Sequence, residues 1–452
     1  MSCPTGRRSA SLTANSPRIH RPTPAPAHCV KRGGRSRVFL SKCFCNGRLD
    51  LREIRVYLKT EAPVHLTGAL LRARGRIFSR LSAIHYPVMQ SLQIALGRVQ
   101  FRRALTAHRA GRCAGSFSAV PADLPPHLAA EPLLVHFWTP HPWGSTEVHV
   151  ERILPLLREQ AAALRMPWHI TSGPDLPAEP VDWLLCLKEV PPKRPRSKEQ
   201  VVLLLNDAAD RFWSRLSRFD HIVVVSSPVL ASLVGTVHPH VWFIEESEAT
   251  DTLRQGEAAL NQCAPSMREP VLLWHGERES LDGLYPLRDM LETFSRDIDA
   301  ELLIVTNVEQ ATEHWGRMRV RYAAWSPQTL ASAAAEARLG IIPARPTVWD
   351  SYLKSAGRVR HLFALGCPAI GDARSPDVVA FAEACGSPSA STAPQWLSAL
   401  HQLWNDGARL DAVARRGLAI TGEHYSADRT ARQWLWFLSV GARSANRASA
   451  AV

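Results

Sequence analysis

From residue 133 onward, short apolar runs alternate with longer stretches whose apolar residues recur at helical spacing. The first set of runs is 133–138, 182–187, 201–205, 220–227 and 241–244. Helices are predicted between them at 147–165, 210–218 and 228–234, with Pro155 set to kink the first. A polar stretch rich in Gly, Gln and Glu follows, and the pattern then restarts. The second set of runs is 271–274, 301–307, 320–324, 339–343 and 369–371. Its helices are predicted at 285–294, 328–337, after Asp350, at 377–385 and at 392–406, with a last helix at 427–440. Apolar runs without alternation suit strands buried on both faces, which is the condition of a parallel sheet.

Two rounds of strand and helix predict an α/β chain with two Rossmann-like parallel-sheet domains facing a cleft. The expected divisions are a basic low-order extension at 1–126, an N-terminal Rossmann-like domain at 127–247 and a linker at 248–268. A C-terminal Rossmann-like domain at 269–425 and a terminal helix and tail at 426–452 complete the chain. No G-x-G-x-x-G follows any predicted strand, so a dinucleotide is not indicated. No solenoid-period repeat is visible.

Charge sharpens this division. The 452 residues carry 54 Lys/Arg and 41 Asp/Glu. Residues 1–125 hold 22 of the basic and 4 of the acidic groups, which leaves 32 basic and 37 acidic for the rest. The basic balance therefore belongs to the front segment, and the globular body is mildly acidic. That distribution argues against a specific nucleic-acid partner. It leaves peripheral contact with a membrane surface through the front segment as one reading. Others are a disordered basic arm, or an upstream extension with the working protein beginning near Met89. There is no apolar core of a secretory signal and no apolar run long enough to span a bilayer, so a cytoplasmic location is expected. The nine cysteines show no zinc or redox spacing and read as free thiols.

The most informative stretch is 339–372. It predicts a buried strand, a loop with Arg345, Trp349 and Asp350, and a helix with Lys354, Ser355 and Arg358 in its first turns. A helix N-terminus offers unpaired N–H groups and partial positive charge, so at a parallel-sheet edge it suits an anion. Lys354 and Arg358 are four apart and would share a face; the Ser355 hydroxyl would donate to the same anion. A diphosphate would be held by such a set.

Lys354-Ser355-Ala356-Gly357-Arg358, with Ala364-Leu365-Gly366-Cys367-Pro368 closing the helix, resembles the donor-binding unit of GT-B glycosyltransferases. The resemblance implies a C-terminal nucleotide-sugar site and sugar transfer from a nucleoside diphosphate to a glycan, lipid-linked or small-molecule acceptor. Many retaining members carry two glutamates eight positions apart in this unit. The corresponding positions here fall near Leu353 and His361, which leaves the stereochemical outcome open.

The resemblance also implies that the Gly276 loop lets backbone approach the donor phosphates, with Arg278 within reach. Trp325 and Ser326 would meet the nucleobase. Asp350 would accept from a ribose or sugar hydroxyl, or else cap its helix. On the acceptor side His141, Glu147 and Asp207 stand near strand ends, and His141 is the candidate general base. No metal or other cofactor is expected, because Asp297-Ile298-Asp299 falls at the wrong sheet edge for a nucleotide-sugar metal. A nucleotide-sugar epimerase and a non-catalytic nucleotide-sugar-binding or scaffold protein are the alternatives.

Overall fold

The computed structural model describes residues 44–45, 48–49, 86–124, 131–141, 146–191, 199–206, 209–216, 219, 221–307, 313–346 and 351–449. The chain divides into two compact units, Met1–Tyr86 and Pro87–Val452. In the first, the described residues are a short antiparallel pair, Phe44–Cys45 with Arg48–Leu49. The second contains everything that follows.

That unit is built on two seven-stranded sheets. The N-terminal sheet contains β1 (Ser118–Ala119), β2 (Leu133–Trp138), β3 (Trp168–Gly173), β4 (Trp183–Leu187), β5 (Gln200–Leu205), β6 (Ile222–Val225) and β7 (Val241–Phe243). Its order is β1-β7-β6-β5-β4-β2-β3, and every pairing is parallel. The C-terminal sheet contains β8 (Glu269–His275), β9 (Glu301–Thr306), β10 (Glu313–Trp315), β11 (Met318–Ala324), β12 (Ala337–Ile342), β13 (Ala369–Asp372) and β14 (Ser389–Ala390). Its order is β10-β11-β9-β8-β12-β13-β14, parallel except for the edge hairpin β10–β11. Strands such as Trp183–Leu187 are buried at every position, as a two-sided parallel sheet requires.

Helices cover both faces of each sheet. In the N-terminal domain, α1 (Tyr86–Arg109), α3 (Ala209–Leu216) and α4 (Pro228–Val234) pack on one face through Phe101, Leu105, Trp213 and Leu230. Helix α2 (Leu154–Ala163) lies on the other face. Before it, Glu147–Glu151 forms a π-type turn, and Pro155 sits where the regular helix begins, so the predicted long helix is broken there.

The boundary expected at residue 127 falls inside this domain. Helix α1 buries Phe101 and Leu105 in its core, and β1 pairs with β7. The helical spacing of apolar residues over 88–106 predicts this helix, and only the basic composition placed it in the extension and not in the domain. Residues 250–262, read from composition as linker, form helix α5 (Thr250–Gln262). It packs on the C-terminal domain so closely that a Cβ on Gly256 would lie 2.1 Å from the Ala364 carbonyl oxygen.

Helices α6 (Arg288–Ile298), α7 (Pro327–Glu336), α8 (Gly357–Ala364), α9 (Pro376–Cys385), α10 (Ala393–Trp404) and α11 (Gly407–His424) surround the second sheet. The chain then crosses back. Glu248 N–H donates to the Tyr425 carbonyl at 2.7 Å, and Ala427 N–H donates to the Glu248 carbonyl at 2.9 Å. After this crossing α12 (Ala427–Ser449) packs Ala431, Trp434, Leu435 and Leu438 into the N-terminal core beside α2. The two domains are thus joined by two chain passages lying side by side at Glu248 and Ser426. The cysteines Cys113, Cys186, Cys263, Cys367 and Cys385 are free thiols. Among the described residues no helix is long and apolar enough to cross a membrane.

Candidate active site

The cleft between the domains has a volume of about 1460 Å³ and takes residues from both sheets. In parallel sheets the carboxyl ends of the strands and the following loops form such crevices. Strand β8 reaches the cleft at His275, and Gly276 follows with φ +155°. A Cβ at Gly276 would stand 2.7 Å from Arg358 Nη1 and 3.1 Å from the Trp274 ring. Glycine is favoured here by its backbone angle, and its missing Cβ leaves the space that the guanidinium occupies.

Arg358 and His275 hold each other reciprocally. Arg358 Nη1 donates to the His275 carbonyl at 3.2 Å, and the His275 imidazole Nε2–H donates to the Arg358 carbonyl at 3.1 Å. Burial, aided by His361 and Arg358, pushes the His275 pKa down to about 3, so the ring is neutral. With Nε2 donating to a carbonyl, Nδ1 is the unprotonated nitrogen. The strand end and the start of α8 are locked together, and Arg358 is fixed at the cleft wall in the helix's first turn.

Of the other predicted residues, Lys354, Ser355 and Trp325 line the cleft with Gly276 and Arg358. Helix α8 begins at Gly357, so Lys354 and Ser355 lie on the approach to it and do not share a helical face with Arg358. The Lys354 side chain is exposed, and its carbonyl accepts from Ser375 Oγ at 2.7 Å. Ser355 Oγ donates to Glu246 Oε2 at 2.6 Å, so its proton goes to a carboxylate of this chain. Trp325 follows β11 and is 45% exposed, enough to present an indole face to a ligand.

Three predicted residues stand elsewhere. Ser326 caps α7, its hydroxyl accepting from Thr329 N–H at 3.0 Å. Arg278 is exposed and outside the cleft lining, its backbone N–H donating to Asn307 Oδ1 at 3.0 Å. His141 is also outside the lining, but it meets Glu189, which is inside it, at 3.3 Å. Asp350, Trp349 and Asp207 lie outside the described residues. Asp297 and Asp299 flank the end of α6, before the amino end of β9.

A charged cluster in the cleft lining has no counterpart among the sequence-predicted residues. Glu246 and Glu248 arrive on the crossing segment after β7, almost fully buried. Buried Arg360 on α8 reaches both, at 3.5 Å and 3.4 Å. His361 Nδ1 lies 2.7 Å from Glu248 Oε2, and Arg152 Nη1 lies 3.5 Å from it. His149 stands 3.6 Å from Glu246. Burial alone would raise both carboxyl pKa values. His149, Arg360 and Ser355 reverse this at Glu246, and His361, Arg360 and Arg152 reverse it at Glu248, so both are held below the usual range. His361 on α8 is thus paired with a carboxylate brought in by the crossing segment. The signal in the sequence was the Glu245-Glu246-Ser247-Glu248 cluster directly behind an apolar strand.

Among the described residues no group of three or more His, Cys, Asp or Glu side chains is arranged to hold a metal ion. The cationic set at Arg358 and Lys354 suits an anionic ligand.

No protein-family model matches the chain, and no curated protein matches it by sequence. Solved structures do. The Anabaena HepE structure in complex with UDP and glucose is 11% identical at TM-score 0.49, covering 68% of this chain and 100% of its own. Sucrose-phosphate synthase from Thermosynechococcus elongatus is 14% identical at TM-score 0.48, covering 71% of this chain and 100% of its own. WaaG, a glycosyltransferase of lipopolysaccharide biosynthesis, is 11% identical at TM-score 0.46, covering 67% and 99%. The chain has two Rossmann-like parallel-sheet domains facing one cleft, as expected from the sequence, and these solved structures are ones to which it is similar.

Proposed function

We propose that this chain is a glycosyltransferase that moves a sugar from a nucleoside-diphosphate donor to an acceptor hydroxyl. The observation that carries the reading is the seat of Arg358. Its guanidinium fills the space left by Gly276, in the first turn of a helix opening on the interdomain cleft. Exposed Lys354 lines the same cleft. Fixed cations and helix N–H groups stabilise the charge that develops on a departing diphosphate without reorganising. In the reaction the anomeric carbon–oxygen bond to the diphosphate breaks, and its electron pair leaves with the diphosphate. The acceptor oxygen bonds to the anomeric carbon and gives its proton to a base. His141, paired with Glu189 at the acceptor rim, is the candidate for that base. Trp325 is the candidate face for the nucleobase.

The test is a calorimetric and turnover screen of nucleoside diphosphates and nucleotide sugars against wild type, Arg358→Ala and Lys354→Ala. Each variant should melt as a folded protein and lose roughly 100-fold or more in kcat/KM, the usual size for removing one electrostatic stabiliser. Unchanged turnover in both would dismiss the site. Tight binding of a nucleotide sugar with no transfer to any acceptor would favour the non-catalytic alternative.

A further inference from the structure

A carboxylate of this chain already stands at the start of the donor helix. Glu246 Oε2 accepts from Ser355 Oγ at 2.6 Å, and Ser355 Oγ accepts from the Gly357 backbone N–H at 3.4 Å. Gly357 is the first residue of α8. A Cβ there would lie 2.7 Å from Glu246 Oε2, so the missing side chain makes room for the carboxylate. Glu246 is held from both domains. Ser226 Oγ, directly after β6, donates to Oε1 at 3.3 Å, and His149 Nε2 lies 3.6 Å from the same oxygen. From α8, Arg360 Nη2 lies 3.5 Å from Oε2. Both oxygens are engaged, and Glu246 still belongs to the cleft lining together with Ser355 and Gly357.

A fixed negative charge at a helix N-terminus is favourable by itself. Beside a bound anion it is not, because like charges in a partly desolvated cleft repel more strongly than in water. The neighbouring charges do not remove this effect. Arg360 and Arg152 face the two carboxylates Glu246 and Glu248, and Arg152 is shared with Glu147 as well. The cluster therefore carries no excess of guanidinium over carboxylate. Loss of the Glu246 charge would move this balance one unit toward positive while leaving Arg360 paired with Glu248.

We propose that Glu246 is a positioning residue that sets how tightly the donor helix holds a diphosphate. It keeps Ser355 and the start of α8 in place, and its charge weakens the hold on the diphosphate so that this product is released after transfer. The inference rests on the donor reading above. A carboxylate that only braced the helix would, once neutralised, loosen the helix and weaken anion binding. A resident counter-charge would, once neutralised, strengthen it. The sign of the change separates the two.

The experiment is a pyrophosphate titration of the full chain, followed by calorimetry at low salt. Wild type is compared with Glu246→Gln, Glu246→Asp and Glu246→Gln/Arg358→Ala. Glu246→Gln keeps the shape and an acceptor oxygen for Ser355. It should bind pyrophosphate about tenfold more tightly than wild type, with an advantage that shrinks as salt is added. Glu246→Asp keeps the charge and should bind within about threefold of wild type. The gain should vanish in Glu246→Gln/Arg358→Ala, which places the probe at α8. Unchanged or weaker binding in a folded Glu246→Gln protein would overturn the inference and leave the donor reading standing. An equal gain in Glu246→Asp, or a gain that survives Arg358→Ala, would overturn it as well. If Glu246→Gln does not fold, the charge serves the fold and the inference falls. Pyrophosphate binding absent from all four proteins would overturn the donor reading, and the inference with it.

Discussion

His108 of α1 and Tyr352 of the segment leading to Lys354 meet across the domain boundary, with Nδ1 3.1 Å from the Tyr352 hydroxyl. The other ring nitrogen lies 3.0 Å from Ser232 Oγ. Burial lowers the His108 pKa, so the ring is neutral and one nitrogen donates while the other accepts. Arg109 stands 5.2 Å over the Tyr352 ring, and Leu353 is buried in the N-terminal core. The segment that carries Lys354 and Ser355 is therefore held by the opposite domain. Tyr352→Phe keeps the packing and removes the hydroxyl, at a cost of about 1 kcal/mol. The expected result is a KM for the donor raised several-fold with kcat within about twofold, read by steady-state kinetics. An unchanged donor KM would mean that the segment is positioned by Leu353 and the ring packing under Arg109 without the hydroxyl.

Gly276 gives a second test, one that separates folding from site geometry. Its φ of +155° is a conformation that alanine adopts only under strain, about 1–3 kcal/mol. The colliding atom, Arg358 Nη1, is the far end of a flexible side chain and can give way. Gly276→Ala should thus remain folded, with a lower melting temperature, and should displace the guanidinium from the His275 carbonyl. Turnover should fall by about 10- to 100-fold, as for a misplaced electrostatic group. Full activity in a folded Gly276→Ala protein would show that the seat of Arg358 is not needed.

These two residues also mark what could be read from the chain alone. Gly276 and Arg358 were visible because a glycine after an apolar run and a cation after a strand–loop unit are local patterns. The strands were visible for the same reason, since burial on both faces leaves uninterrupted apolar runs such as 201–205. Glu246 and Glu248 were not, because their partners Arg360 and His361 lie more than 100 positions away and composition is blind to such pairs. Helix α1 was legible as a helix from the helical spacing of apolar residues over 88–106, but its arginines assigned it to the basic extension; that Phe101 and Leu105 pack into the N-terminal core depends on partners distant in sequence. The start of α8 was misplaced because Ser355 looks like part of a helical turn, whereas its hydroxyl bonds Glu246 across the crossing segment.

The interface between the domains also carries a titrating group. Asp377, in the first turn of α9, accepts a hydrogen bond from Ser227 Oγ at the start of α4. Burial pushes its pKa from 3.8 up to about 6, and the nearby Glu246 charge adds to the rise. Ser227, the Val229 backbone and Arg360 oppose it. A carboxyl whose folded pKa lies above its unfolded value binds its proton more tightly when folded. Stability from this group is therefore present below about pH 4 and is lost as pH rises through about pH 6. Asp377→Asn removes the ionisation and keeps one acceptor oxygen for Ser227. It also gives up the second acceptor oxygen, which offsets about 1 kcal/mol of the gain. The net expectation is a variant more stable than wild type by about 1–2 kcal/mol at pH 8, with the advantage shrinking as pH falls toward 4. Melting curves of the two proteins across that range provide the check. Parallel curves, with a gap independent of pH, would place the titration on some other group.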